Sequence, residues 1–308
     1  MSVTLPPQIH VFVRDWLSGN NVVLRSERGH VLIDSGYHKH VPLTLALVAS
    51  RRGLDGAELA KVVNTHCHSD HMGGNAALKR AYGCAIAVPA AEAPLVESWD
   101  TQALLLDYAG QQADPFTVDE RLEAGSTRTW GDLEWKLLAA PGHDMGALVF
   151  YNEDHGILVS GDALWQDGFG FVFPPEMDPA ALPAARATLD MLARLPVRVV
   201  IPGHGEPFAG HEEALARAYA RLAAFEQDST RLARHAVKVI LTFTLLDRER
   251  IALTELAALL DRVPLFGDFN RRYLHMTTQA LAGWLVDELC RVGAAAVRDG
   301  DLVSVTRA

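Results

Sequence analysis

The sequence predicts an α+β protein in two parts: mixed strands and helices over residues 1–234, and a smaller module over 235–308. Three observations carry this reading. Short apolar runs of strand type end repeatedly in a turn that holds a histidine or aspartate. Helical segments separate several of these runs. After about residue 235 the pattern becomes three helical segments and a closing hairpin. The chain has 308 residues, 49% of them apolar, enough for one large core or two smaller ones.

Taken in order, residues 8–13 and 21–34 read as strands. Val22–Leu24 and Val31–Ile33 flank the turn-like Ser26-Glu27-Arg28-Gly29, a hairpin signature, and the second strand ends in Asp34-Ser35-Gly36. Residues 42–51 read as a helix with Pro42 in its first turn. Lys61–Thr65 is a short strand leading into His66-Cys67-His68-Ser69-Asp70-His71. If it runs on through His66 and His68, both side chains face one way and Cys67 the other, because strand alternation has period two. Gly73-Gly74 then lets the chain fold tightly into a helix from Asn75, and residues 85–88 form another strand. Residues 91–118 read as helix and loop.

Strands are expected around Gly131-Asp132, and a second hairpin pairs residues 147–151 with 156–160. Residues 180–194 read as a helix, 198–201 as a buried strand and 211–234 as one long helix. In the second module, helices are expected over 236–246, 254–260 and 277–291; in the last, Leu281, Trp284, Leu285 and Leu289 recur at helical spacing. Strands over 295–297 and 302–305 close on Asp299-Gly300, a hairpin turn. Three helices and a hairpin resemble a small winged-helix domain.

Charge narrows the partners. Lys and Arg number 28 against 38 Asp and Glu, a net charge of −10. An acidic surface repels phosphate backbones, so nucleic acid is not the expected partner. Residues 235–308 are neutral, and the excess lies upstream. The opening residues lack a basic start followed by a long apolar run, so no secretory signal is expected. No apolar stretch is long enough to span a membrane. Cys67, Cys84 and Cys290, odd and sparse, suggest a reducing cytoplasm rather than a disulfide framework.

The chemistry concentrates in His66, His68, Asp70 and His71. Three further strand ends carry a ligand-type residue behind a glycine: Gly142-His143, Gly161-Asp162 and Gly203-His204. A single histidine such as His66 or His143 reads as a satisfied structural residue, but seven such residues read as a metal site. Their order resembles the signature of the metallo-β-lactamase superfamily, His-x-His-x-Asp-His followed by His, Asp and His, with Asp34-Ser35-Gly36 like its first motif. The resemblance covers roughly residues 8–210 and implies an αββα sandwich.

Position by position, the resemblance assigns His66, His68 and His143 to a first metal and Asp70, His71 and His204 to a second. Asp162 bridges them, and Asp34 holds the ligand loop without touching metal. Imidazole and carboxylate suit two divalent ions, Zn²⁺ foremost, with Fe or Mn compatible. Such a pair shares a water and lowers its pKa toward about 7, giving a hydroxide that attacks a carbonyl carbon or phosphorus. Asp70 is expected to orient it and to shuttle a proton.

Trp165, Phe169, Phe171 and Phe173 follow Asp162 closely; they read equally as substrate-pocket lining and as core. The three cysteines read as small buried residues, and the remaining histidines, such as His38, His40 and His155, as surface or loop. Arg271 and Arg272 precede the last helix of a neutral module, so a structural, dimerising or mouth-covering role is expected of it before nucleic-acid contact.

Asp162 and the Thr65–Gly74 run resemble the hydrolase branch that includes glyoxalase II, so the expected activity is metal-dependent hydrolysis of a small thioester, ester or lactone. The alternatives are an endoribonuclease, as in β-lactamase-like proteins with a winged-helix extension, a mono-iron persulfide dioxygenase, and a metal-stabilised interaction protein without catalysis.

Overall fold

The computed structural model describes residues 3–305. Two sheets form the centre of the molecule. The first comprises β1 (Ile9–Phe12), β2 (Asn21–Leu24), β3 (His30–Ile33), β4 (Leu59–Val63), β5 (Ala85–Pro89) and β6 (Glu120–Leu122), in that spatial order. The second comprises β7 (Thr127–Trp130), β8 (Leu133–Ala139), β9 (Leu148–Asn152), β10 (Ile157–Gly161) and β11 (Val199–Pro202), again in sequence order. Both are mixed: β3, β4, β5 and β6 run parallel, as do β10 and β11, and the remaining pairs are antiparallel.

Strand alternation makes the sandwich. Val22, Leu24, Val31 and Ile33 face inward against Trp135, Leu137, Phe150 and Val159 of the second sheet. Their neighbours Val23 and Leu32 face outward, toward α1 (Val41–Ala49), α3 (Asn75–Tyr82) and α4 (Ala93–Ser98), which follow the short α2 (Ser69–Met72). A short α5 (Leu106–Ala109) comes next. The outer face of the second sheet, through Val149, Leu158 and Val200, packs on α6 (Ala181–Leu192) and α7 (His211–Gln227). Trp135 lies fully buried between the sheets and its Nε1 donates to the Trp130 carbonyl at 3.1 Å. Burying such a side chain stabilises by about 1.5–3 kcal/mol. The αββα sandwich is therefore the architecture expected.

The C-terminal part comprises α8 (Ser229–Arg248), α9 (Leu253–Arg262), α10 (Pro264–Phe269), a π-turn at Asn270–Leu274 and α11 (Thr278–Arg291). Its sheet orders β12 (Arg250–Ala252), β14 (Asp301–Ser304) and β13 (Ala295–Arg298) as β12-β14-β13. The expected hairpin is thus present, with β12 added to it.

Four expectations need correction. The strand before the histidine cluster stops at Val63, because the Thr65 N–H turns to the Asp34 side chain at 2.9 Å. His66 and His68 therefore reach the site from a loop. The long helix over 211–234 is two helices: Asp228, at φ −146°, leaves helical geometry, and its carboxylate caps α8 by accepting from the Arg231 N–H at 2.9 Å. The helix expected over 236–246 is the later part of α8. Finally, α10 and the π-turn, also unforeseen, stand between α9 and α11.

Helix α8 is latched to the sandwich. Lys39 Nζ donates to the Leu246 carbonyl at 3.3 Å and to that of Asp247 at 2.5 Å, a cation at the helix C-terminus where the dipole favours one. Tyr37 packs edge-on against Phe243. The core of the C-terminal part also takes in Tyr108, Ala109 and Phe171 from the sandwich, which brings α8 over the loops described next.

Candidate metal centre

Strands β3, β4, β8, β10 and β11 all deliver their following loops to one edge of the sandwich, and those loops are stitched together. Asp34 N–H donates to the Val63 carbonyl at 2.9 Å, Leu148 N–H to Thr65 at 2.8 Å and Gly203 N–H to Gly161 at 2.8 Å. Gly19 N–H donates to the Asp70 carbonyl at 2.8 Å. A side chain at Gly19 would start 2.7 Å from His71 Cε1, so the close approach requires glycine there.

The structure brings the seven ligand-type residues together. His66, His68 and His143 form one set of donors; Asp70, His71, Asp162 and His204 form another; within each set the donor atoms lie within 4.8 Å of one another. Asp162 stands between the sets. Its Oδ1 is 3.4 Å from His71 Nε2, and its Oδ2 is 3.4 Å from His143 Nε2 and 3.8 Å from His204 Nε2. Asp70 Oδ2 lies 3.0 Å from His204 Nε2.

Hydrogen bonds set which ring nitrogen faces inward. His71 Nδ1 donates to Asp34 Oδ2 at 2.8 Å, leaving Nε2 free. Thr65 Oγ1 donates to the same carboxylate at 2.8 Å and so accepts from His66 Nδ1 at 3.1 Å. His143 Nδ1 donates to the Phe171 carbonyl. His68 turns Nε2 toward Asp144, 3.5 Å away, and Nδ1 toward His143 Nε2, 2.8 Å away. His66 Nε2 and His71 Nε2 are buried without a hydrogen-bond partner. Buried nitrogens aimed at a shared space beside two carboxylates fit a divalent cation.

The protonation pattern agrees. Burial, helped by the charges of His71 and His68, drives the His66 pKa well down. Burial and His143 lower that of His68 to about 4. Burial also opposes charge on His71, but Asp162, Asp34 and Asp70 outweigh it and raise its pKa well above the usual value. Burial likewise opposes the charge on Asp162, yet His71 and His204 hold its carboxyl well below the usual range.

The surroundings were only partly foreseen. Asp34 is buried where expected, with its oxygens taken up by Thr65 and His71. Trp165 and Phe171 border the cavity of about 110 Å³ over the centre, whereas Phe169 lies deeper, in the core beneath the second sheet and at the margin of a neighbouring cavity. Trp16 was missed: it stacks on His204 with ring centroids 5.3 Å apart and meets Trp165 edge-on. Val239, Ile240 and Phe243 of α8 line the same cavity. Glu92 was missed too. It accepts the Cys67 N–H through both oxygens, at 3.1 and 3.0 Å, and shapes the ligand loop; an acid within an apolar run was its only signal. Cys67 and Cys84 are small buried thiols as expected, and Cys290 is half-buried.

A four-layered sandwich with a buried histidine–aspartate cluster at one sheet edge defines a class of metal-binding proteins. The sequence profile of the Metallo-beta-lactamase superfamily matches residues 14–204, and the chain belongs to that superfamily. A hydroxyacylglutathione hydrolase of Rhizobium etli is 27% identical over 191 residues, covering 62% of this chain and 61% of that protein. One from a Synechococcus species is 34% identical over 141 residues, covering 46% and 47%. The chain thus spans about half the length of the relatives it matches. Among solved structures, a metallo-beta-lactamase family protein of Thermus thermophilus has a TM-score of 0.57 at 20% identity, covering 98% of this chain and 100% of that one. A beta-lactamase domain protein from Burkholderia ambifaria has a TM-score of 0.59 at 19% identity, covering 98% and 93%. These two establish the fold. Family and site together imply divalent metal ions.

Proposed function

We propose that this chain hydrolyses small acyl thioesters with two divalent ions, Zn²⁺ foremost, held by His66, His68 and His143 and by Asp70, His71 and His204, with Asp162 shared. The observation that carries the reading is the position of Asp162 between the two donor sets, within 3.4 Å of a nitrogen from each. Bound ions would supply a water that ionises near neutral pH and an electrophile for the developing oxyanion. Asp70 borders the cavity and is held by His204; it takes the proton of the attacking water at Oδ2 and passes it to the departing sulfur. The water oxygen bonds to the acyl carbon as the carbon–sulfur bond breaks, giving an acid and a thiol. Trp16 and Phe243 keep bulk water from the acyl group.

The small apolar cavity supports an acyl substrate over a polynucleotide. Hydroxyacylglutathione hydrolases among the relatives support a thioester over a lactone or simple ester. The free cysteines fit a reducing cytoplasm, and no helix among the described residues is long and apolar enough to cross a membrane. We keep the division near residue 235, although α8 runs across it: most of the buried apolar residues from Ala233 onward share one core, and helices with a three-stranded sheet fit the winged-helix reading.

The test is metal analysis of the purified chain followed by a thioester panel, before and after chelation and with Zn²⁺, Mn²⁺ or Fe²⁺ restored. Two ions per chain and chelator-sensitive turnover are expected. One iron with oxygen uptake would establish the dioxygenase alternative in its place.

Asp34→Ala is expected to weaken metal binding by about 10–100-fold, since it removes the group that orients His71 and the Thr65 loop. Competition with a chromophoric chelator measures this, and unchanged affinity would remove Asp34 from the site.

A further inference from the structure

Helix α8 carries one stripe of side chains at the i, i+3, i+4, i+7 spacing that defines a helix face. In its N-terminal half the stripe carries the cations Arg231, Arg234 and Lys238, with His235 among them held to a pKa of about 4 by burial and by Arg221 and so uncharged near neutral pH. It then turns apolar at Val239 and Phe243. Three hollows adjoin it in series. Val239 and Phe243 wall the cavity over Asp70 and Asp162. An apolar cavity of about 340 Å³ shares those two residues and runs on to His235 and Lys238. An open groove begins at His235 and Lys238 and continues past Arg231, Arg234 and the α7 residue Arg221.

The arginines of this groove form no close ion pair, although Asp167 acts on Arg221 from farther off. Among the described residues, no carboxylate pairs with Arg221, Arg231 or Arg234, although Arg217 nearby pairs with Asp167 and Lys238 with Glu288. The two acids lining the groove are engaged: Asp228 caps α8 and Glu288 holds Lys238 and Arg291. Arg231 also sits in the first turn of α8, where the helix dipole disfavours a cation. A chain of net charge −10 has nevertheless left Arg231 and Arg234 without an ion-pair partner, beside Arg221, at the end of a path from its metal centre.

We propose that this stripe receives the carrier half of the substrate, and that the carrier is a long thiol bearing phosphate groups at its far end. The inference rests on the thioester reading above. The acyl carbon lies at Asp70 and Asp162, the uncharged arm of the carrier along Val239 and Phe243, and the phosphates at Arg221, Arg231 and Arg234. Guanidinium forks match phosphate oxygens in bidentate fashion. Length also discriminates. From Val239 to Arg231 is about 12 Å along the helix, whereas a tripeptide thiol reaches only about 7 Å from its central cysteine.

Calorimetry of the metal-loaded protein with coenzyme A and with pantetheine, the same thiol arm without phosphates, tests this. We expect coenzyme A to bind at least ~10-fold more tightly, with the difference shrinking as salt rises. The double variant Arg231→Ala/Arg234→Ala should erase the preference while leaving pantetheine binding and the melting temperature unchanged. Equal binding of the two thiols, equal weakening of both by the variant, or glutathione binding as tightly as coenzyme A would each overturn the assignment. Thioester turnover is scored separately: if no carrier supports hydrolysis, the thioester reading fails, whatever the binding preference.

Discussion

Replacing Asp162 by asparagine should leave the sandwich folded, strip the centre of at least one ion per chain and slow thioester hydrolysis by roughly 10³-fold or more, the several kcal/mol that a metal contributes to a transition state. The reason is positional. Asp162 follows the last residue of β10, where the pairing with β11 shifts register at Gly161. That places one carboxylate within 3.4 Å of His71 and of His143 and 3.8 Å from His204. Asparagine keeps the volume and removes the charge, so the inward-facing imidazoles lose the anion that lets a cation sit among them. Metal content by plasma emission spectrometry, together with turnover, reads the effect. A variant that still holds two ions and still works would exclude Asp162 as the shared carboxylate.

Gly203→Ala should do as much damage from the backbone side. A Cβ there would start 2.2 Å from Asp162 Oδ1 and 2.9 Å from His71 Cε1. Neither neighbour can retreat, because both are buried and His71 is tied to Asp34. Gly203 cannot move away either: its N–H donates to the Gly161 carbonyl, and its own carbonyl accepts from Asn20 N–H at 2.6 Å. We expect a loss of about 1–3 kcal/mol in stability from overpacking and loss of bound metal. Gly283→Ala in α11 is the control. Nothing lies within 4 Å of the added carbon, so this helix substitution should stabilise by up to about 1 kcal/mol. Thermal melts of metal-free protein isolate the packing effect from ion binding. If the Gly203 variant melts and loads metal like wild type, the close packing at this edge is not what holds the centre.

Much of this was readable before any coordinates. The turns after Ile33, Ala140, Ser160 and Ile201 mark strand ends, and Asp34, which positions His71, and the ligand-type residues His143, Asp162 and His204 lie in them. Strand ends that share a sheet edge are close in space, so a pattern along the chain becomes a cluster. Asp228-Ser229-Thr230 also carries a helix-start signal; the reading over 211–234 passed across it because the flanking residues are uniformly good helix formers.

By itself, then, the sequence determined the chemistry available: which ligand-type residues are present, in what order, on which kind of fold. Local composition and spacing encode such things, because strand period and turn preference act over a few residues. Only the tertiary structure decided what surrounds that chemistry. Trp16 meets His204 across 188 positions, and Val239 and Phe243 reach the centre because Lys39 and Tyr37 hold down the end of α8. Contacts of that kind depend on how buried surfaces pack, and no repeat or motif along one chain records which distant side chains will close a pocket.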